Sequence, residues 1–496
     1  MSLQFITGNS GNGKTKYLFN RIVKEAKANP RDNYLVIVPE QFTMQTQRQL
    51  VDLSENKAIM NIDVLSFKRL AYRVFDELGI TNLTVLEETG KNLVLRKLAA
   101  QEADKLGVIG RNLNRIGYIS EVKSLLSELV QYNISPEELG RYIASGMLSD
   151  TLSDKLKDVL VLYEAFEKFM QDKYITAEEI LNVLSNVAEE SAILRNSVIA
   201  FDEFTGFTPI QNQLIKKLFV ISKKIYVTLT IDCREDIFKS RGMQELFDMP
   251  KRTVKSLTEM AAFYGIEVEE PIILDKNYRL AENEELSFME QQLFRKRRCS
   301  FKKAPKHIHI DCLRDPKQEL TKIARRINEL VRNENLRYRD IAIVTGDVNI
   351  YAGYVREIFD KYNIPYFIDA TQEILFHPFI EFIRSIPDIA AQNFSADAVF
   401  RFLRCGFSEL LDSEIDVLEN YVLACGVRGK SAWDKKWVRL PKHKAGYDIE
   451  LLNQSREYIM ELLKPVYQVF SDKKSTVKDY VLAIYKLIVL LDIPDK

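Results

Sequence analysis

The residues best suited to chemistry stand at the start of the chain: Gly8-Asn9-Ser10-Gly11-Asn12-Gly13-Lys14-Thr15. They spell Gly-x-x-x-x-Gly-Lys-Thr, a phosphate-binding loop. Glycines let the backbone curl so that successive N–H groups point at one anion. At this spacing Lys14 reaches the outer phosphates of a nucleotide, and the Thr15 hydroxyl ligates Mg²⁺. The expected cofactors are therefore ATP and Mg²⁺, with all eight residues of the loop in contact. A second reactive pair, Asp202-Glu203, ends the apolar run Ser197-Val-Ile-Ala-Phe201. Asp202 is expected to hold the metal's water shell beside Thr15. Glu203 is expected to orient or deprotonate an attacking water. Lys14, Asp202 and Glu203 are thus the candidate catalytic residues. Arg279, in Asn277-Tyr278-Arg279, could stabilise charge developing on a γ-phosphate. On spacing alone a surface arginine is the commoner reading.

These groups need elements to hold them. Leu3-Gln-Phe-Ile-Thr reads as a strand entering the loop, and Lys16 onward carries apolar positions at helical spacing. That helix would offer its N-terminus to the phosphates. Asn33-Tyr-Leu-Val-Ile-Val-Pro39 is a continuous apolar run, the mark of a strand buried on both faces of a parallel sheet. Ile62 to Ser66 repeats the pattern. Strand–helix–strand units carry ligands at the carboxyl ends of their strands. From about Glu87 to Glu189 the pattern is helical throughout and strand signals disappear. The sheet resumes at Ser197, continues at Lys223 to Asp232, and closes at Ile272-Ile-Leu. A second βαβαβ unit is expected from His307-Ile-His-Ile-Asp, Asp340 to Gly346 and Ile364 to Asp369, with helices between. From His377 onward the pattern is helical, except around Trp433 and Trp437.

Composition limits the alternatives. The chain has 496 residues, 46% hydrophobic and 28% charged, enough for about three domains. Lys+Arg and Asp+Glu both number 70, so global charge gives no support to nucleic-acid binding and any basic surface must be local. No apolar run is long enough for a membrane span. The strand at the very start leaves no room for a signal peptide, and the apolar helix near the end suggests that the sequence is cut short. The five cysteines are irregularly spaced, which argues for reduced thiols and a cytoplasmic location. His307, His309, His377 and His443 show no metal-ligand spacing. The basic run Arg295 to Lys303 reads as a solvated linker or as a contact to a phosphate backbone.

Two βαβ cores, each with a helical insertion and a phosphate loop in the first only, resemble superfamily-one DNA helicases of the UvrD kind. Gly8 to Thr15, Asp202-Glu203 and Asn277-Tyr278-Arg279 are similar to three of their motifs. The sequence more closely resembles the B subunits of AddAB-type ATP-dependent helicase/nucleases. It shares with them Val38 to Thr43, Ser66-Phe-Lys-Arg-Leu-Ala-Tyr-Arg73 and an Asp-x-Phe-x-x-Phe-Thr-Pro element at Asp202 to Pro209. The resemblance implies an α/β fold with two RecA-like phosphate-loop cores of parallel sheet. Residues 1–87 and 196–290 would form the first core and 88–195 its insertion. Residues 300–375 would start the second core and 376–496 its insertion.

It further implies a heterodimer with a helicase/nuclease A subunit that processes double-strand breaks for homologous recombination. The B subunit would scan single-stranded, end-unwound DNA for the Chi sequence. Gln41, Thr43, Phe67, Arg69 and Tyr72, with Phe204 or Phe207, would meet that strand. Their chemistry suits the task, since aromatics stack unpaired bases and arginine pairs with base edges or phosphates. Packing inside the core is the alternative for the aromatics. The family's nuclease, with its iron–sulfur cluster, would lie beyond residue 496. The strand ending Thr230-Ile-Asp232 lacks the Gly-Asp-x-x-Gln element of active motors, and no adenine-reading arm precedes the first strand. An active ATPase or helicase of the UvrD type is the alternative. A small-molecule kinase would not need a second core.

Overall fold

The computed structural model describes residues 1–80, 84–108, 110, 116–171, 174–295, 299–370, 374–441 and 446–493. The chain divides into two compact units, 1–310 and 311–496.

The first unit is built on a parallel sheet. Its strands are β1 (Ser2–Gly8), β2 (Tyr34–Ile37), β3 (Ile62–Leu65), β6 (Val198–Phe201), β7 (Lys224–Thr230), β8 (Glu267–Val268) and β9 (Ile272–Leu274). The order is β3-β2-β6-β7-β1-β8, with β9 also paired to β1. Two further short strands, β4 (Val85–Leu86) and β5 (Ile175–Thr176), pair with each other. β5 stands in the stretch where only helices were expected, and β4 just before it.

Alternation along the strands divides the core into two faces. Tyr34 and Val36 of β2, Ile6 of β1 and Tyr226 of β7 pack under α1 (Lys14–Ala28) and α2 (Thr43–Leu53). Leu35, Ile37, Phe5, Phe201 and Val227 pack on the opposite face, under α3 (Phe67–Leu78) and the helices Ile180–Val187, Pro209–Ile221 and Asp248–Phe263. Each fully buried large apolar side chain contributes about 1.5–3 kcal/mol. That holds the strand ends firmly enough to position a site. The helices start where the sequence provides caps. Ser66 accepts from the Arg69 N–H at the start of α3, and Thr208 forms a reciprocal capping box with Gln211.

Strand order places the chemistry. β7 inserts between β1 and β6, with Gly8 opposite Thr230 and Phe201 opposite Val227. The residue after Phe201 is Asp202, so it emerges beside the end of β7, one strand from the loop that follows β1.

The helices between β4 and β5 enclose their own core, including Leu95, Ile119, Leu126, Leu162 and Phe166. In the second unit, helices Pro316–Asn333 and Val348–Lys361 pack on each other through Leu320, Ala324, Ile327, Ile358 and Phe359. Helices from Pro378 to Leu490 surround Phe382, Phe402, Trp433 and Leu463. Trp433 and Trp437 are both buried there, so the aperiodic stretch anchors this core.

The expected strands of a second sheet do not form. His307–Asp311, Ile341–Gly346 and Ile364–Asp369 are irregular, and Asp340 ends a 3₁₀ turn, with no ladder among the described residues. A parallel strand needs hydrogen-bonded neighbours and cover on both faces. Ile310 and Val344 are each 93% exposed and Phe367 is 88% exposed, so neither requirement is met here.

Candidate nucleotide site and the adjoining strand tips

The loop after β1 owes its shape to glycine at two points. Gly11 and Gly13 have φ of 88° and 78°, a region that side chains rarely adopt. A Cβ on Gly11 would also stand 2.7 Å from Asn277 Oδ1 and 2.8 Å from Arg279 Cβ. Hydrogen bonds hold the two segments this close. The N–H groups of Tyr278 and Arg279 donate to the Gly11 carbonyl, and Asn277 Nδ2 donates to the Ser10 carbonyl at 3.0 Å. Arg279 Nη1 lies 3.4 Å from Ser10 Oγ. The structure therefore places Arg279 against the loop, which its spacing alone did not indicate.

Two asparagines fasten the loop from below. Asn12 Nδ2 donates to the Leu274 carbonyl of β9 at 2.5 Å. Asn9 Oδ1 accepts from the Cys233 N–H at 2.9 Å, and Asn9 Nδ2 donates to Glu290 Oε1 at 2.6 Å. Lys14 Nζ donates to the carbonyls of Gly8 and Asn9 at 3.1 and 3.0 Å. The ammonium is thus stored at the loop's own carbonyls, within reach of an anion above them.

The acidic pair meets the loop. Thr15 Oγ1 lies 3.3 Å from Asp202 Oδ1 and 3.4 Å from Glu203 Oε1. Thr228 of β7 donates to the same Asp202 oxygen. Asp202 is 1% exposed, and its Oδ2 is buried with no hydrogen-bond partner among the described residues. Burial pushes the Asp202 carboxyl up from its ordinary value and the Glu203 charge adds to this, against hydrogen bonds from Thr228 and Thr15. Burial lowers the Lys14 ammonium, against the attraction of Glu203 and Asp202. Glu203 has φ of 63°, a strained conformation for a residue of its type. Such strain persists where surrounding structure fixes it, and here it sits beside Thr15.

One cavity of about 780 Å³ joins these groups. Gly11, Lys14, Thr15, Asp202, Glu203 and Arg279 all line it, and Tyr278 closes it beside Gly13. Its size suits a nucleotide. An unsatisfied buried carboxylate oxygen next to a threonine hydroxyl fits the hydrated Mg²⁺ that accompanies a triphosphate. Among the described residues no group of three or more His, Cys, Asp or Glu forms a metal cage. That is compatible with a metal held largely by phosphate and water.

The strand tips of β2 and β3 carry the residues expected to face DNA. Gln41, Arg69 and Tyr72 are exposed, whereas Thr43 and Phe67 are buried. Thr43 Oγ1 donates to the Glu40 carbonyl at 3.0 Å. Phe67 stacks on Phe201 at 5.8 Å and meets Phe204 edge-on at 5.6 Å and Phe207 at 6.3 Å. Phe204 and Phe207 are half-buried and cover this cluster from outside. Arg69 Nε donates to Glu40 Oε1 at 2.9 Å, and Ser66 Oγ donates to the other Glu40 oxygen. Sequence reasoning assigned no role to Glu40 or Thr228. Glu40 lies inside the Val38 to Thr43 motif, but nothing in the spacing links it to Arg69. Thr228 is a mid-strand threonine with no local signal.

The basic run is partly accounted for. Arg295 Nη2 donates to Asp232 Oδ2 at 2.7 Å, and Lys303 pairs with Glu284. Lys296, Arg297 and Arg298, like His443, lie outside the described residues. Among the described residues no helix is long and apolar enough to cross a membrane.

Comparison with known proteins identifies the family. The family described as ADDB, N-terminal, matches residues 5–290. A protein of Lachnoclostridium phytofermentans is 38% identical over 503 residues, covering 100% of this chain and 44% of its own length. Relatives in Clostridium acetobutylicum and Clostridioides difficile are 34% and 32% identical, covering 88% and 100% of this chain and 38% and 44% of their own lengths. All three are named as the B subunit of an ATP-dependent helicase/deoxyribonuclease. The chain thus spans less than half the length of these relatives. The matched region holds both the glycine loop and the acidic pair and makes up more than half of the chain, which therefore belongs to the ADDB N-terminal family.

Proposed function

We propose that this chain binds ATP with Mg²⁺ and serves as the motor-like part of the B subunit in a heterodimeric helicase/deoxyribonuclease. The observation that carries the reading is the meeting of Lys14, Thr15, Asp202 and Glu203 in one cavity, with Asp202 Oδ2 unpaired among the described residues. The loop N–H groups and Lys14 would bind the phosphates, while Thr15 and Asp202 would hold the metal's water shell. Bound Mg²⁺ would neutralise phosphate charge. Glu203 would accept a proton from the attacking water, and Arg279 would face the developing charge.

The DNA reading follows from the family and the strand tips. Single-stranded, end-unwound DNA would cross the carboxyl ends of β2 and β3, past Gln41, Arg69 and Tyr72. Thr43 and Phe67 would support that surface from beneath, with Phe204 and Phe207 at its edge. Scanning for Chi during double-strand break repair would use this surface, with a helicase/nuclease A subunit as partner and the cytoplasm as location. Residues 300–375 would supply the start of a second RecA-like core, whose strands would form only with neighbours that the described residues do not provide, and 376–496 would be its helical insertion. Residues 1–87 with 196–290 would be the first core, and 88–195 its insertion.

The strained backbone of Glu203 beside Thr15 favours a second reading, in which this chain itself hydrolyses ATP. One experiment separates the two. Binding of a fluorescent ATP analogue and ATP turnover are measured with and without single-stranded DNA. Binding with negligible turnover supports the scanning role. Turnover stimulated by DNA and lost in Lys14→Ala supports the active motor. Absence of ATP binding sinks both.

A further inference from the structure

The helix Glu284–Gln292 is held at both ends by contacts that the nucleotide chemistry does not use. Near its C-terminus, Glu290 Oε1 accepts from Asn9 Nδ2 at 2.6 Å. Asn9 is 5% exposed and is the residue whose carbonyl receives Lys14 Nζ. The other side of Asn9 is fixed to the segment after β7 through the Cys233 N–H.

The neighbouring residues close a ring around this contact. Asp232 accepts from Arg234 Nε at 2.8 Å, from Arg234 Nη2 at 2.6 Å and from Arg295 Nη2 at 2.7 Å. Arg234 Nη2 also donates to the Gln291 carbonyl at 3.3 Å. The Arg295 guanidinium lies over the Phe247 ring at 5.1 Å. At the helix N-terminus, the Glu285 carboxylate accepts the N–H groups of Lys306 and His307 at 2.6 and 2.8 Å. The chain then leaves the first unit after residue 310. One helix therefore grips the phosphate loop at one end and the exit of the unit at the other.

We propose that Glu290 is a positioning residue that couples nucleotide occupancy of the phosphate loop to the helix Glu284–Gln292 and the segment that follows it. This rests on ATP binding at Gly8 to Thr15. When Lys14 turns to a triphosphate, it leaves the Gly8 and Asn9 carbonyls and the loop closes on the anion. Asn9 cannot shift without moving Glu290, because both polar ends of its side chain are engaged. The Asp232–Arg234–Arg295 cluster keeps the helix against the end of β7, so the loop's closure reaches Lys306 and His307 through Glu285.

Hydrogen exchange on the whole chain, with and without Mg·AMP-PNP, tests this. Peptides covering Gly8–Thr15 report binding, and peptides covering Glu284–His307 report coupling. The expected result is at least fivefold slower exchange in both regions with nucleotide. Glu290→Ala is expected to keep the protection at Gly8–Thr15 and lose it at Glu284–His307. Glu290→Gln, which retains an oxygen acceptor for Asn9, is expected to restore it. A purely structural role would change exchange equally with and without nucleotide. Protection of the loop alone in the unmodified chain overturns the coupling and leaves the ATP reading standing. Unaltered coupling in Glu290→Ala also overturns it. Protection of neither region overturns the ATP reading and the coupling with it.

Discussion

Thr15 Oγ1 stands 3.3 Å from Asp202 Oδ1, which ties the first turn of α1 to the end of β6 across 187 residues of sequence. Thr228 shares that oxygen, and the other Asp202 oxygen has no partner among the described residues. A buried carboxylate in that state costs stability.

Asp202→Asn is therefore expected to stabilise the nucleotide-free chain. A carboxyl pushed up by folding binds its proton more tightly in the native state than in the unfolded one. Stability then falls as pH rises from the ordinary carboxylate range through the raised native value, and the cost is fully present above that value. Asn removes that cost. A melting point about 2–4 °C higher at pH 7 is the expected result, with the gain vanishing as pH falls into the ordinary carboxylate range. The same variant should lose Mg²⁺-dependent nucleotide binding. A lower melting point at pH 7 would contradict the reading.

Glu203→Gln separates binding from turnover. Its carboxylate lies 3.4 Å from Thr15 Oγ1, so it is placed to act on water and not to hold phosphate. Nucleotide affinity should change by less than about threefold, whereas any hydrolysis should fall by about 10²–10⁴-fold, the usual contribution of a general base. Single-turnover assays at saturating ATP measure this. Hydrolysis equal to that of the unmodified chain would remove Glu203 from the site.

Glu40 controls what Arg69 can bind. Its carboxylate is held below the usual range, by the Ser66 hydroxyl first and by Arg69 next, so it is ionised at neutral pH. Both side chains of the pair are more than half exposed, so stability should change by less than about 1 kcal/mol in Glu40→Ala. The variant frees the guanidinium for phosphate. Affinity for single-stranded DNA should rise, and the log–log salt dependence should steepen by about 0.7 per added phosphate contact. An unchanged salt dependence would show that DNA does not pass Arg69.

Asp232 offers the opposite pH dependence to Asp202. Burial would raise its carboxyl, but hydrogen bonds and charge from Arg234, with the Arg295 charge, outweigh burial and hold it at about 2. A depressed carboxyl contributes stability above the ordinary carboxylate value and loses it as pH falls toward its native one. Asp232→Asn should lower the urea midpoint at pH 7, by an equivalent of about 1.5 kcal/mol or more. The difference from the unmodified chain should shrink between about pH 4 and about pH 2. A difference that is constant across that window would mean that charge is not its source.

The sequence by itself determined the glycine loop, the strand before it, the helix after it and the strand that delivers Asp202-Glu203. These are local patterns: apolar runs of strand length, glycines before a lysine, apolar spacing along a helix. It also determined that the middle and the end of the chain are mainly helical. Only tertiary structure decided which distant groups share a cavity. The strand order brings Thr228 to Asp202, the segment after β9 brings Arg279 to Ser10, and the packing of the helix Glu284–Gln292 brings Glu290 to Asn9; none of these pairs has a sequence signal, because such contacts depend on tertiary packing and register and not on spacing along the chain. Tertiary structure also decided the aromatics. Phe67 lies inside its cluster and Tyr72 lies outside, although both sit on the same helix. The second sheet shows the same limit from the other side. Asp340–Gly346 has the apolar run of a buried strand, but a strand forms only where neighbours supply its hydrogen bonds, and among the described residues none does.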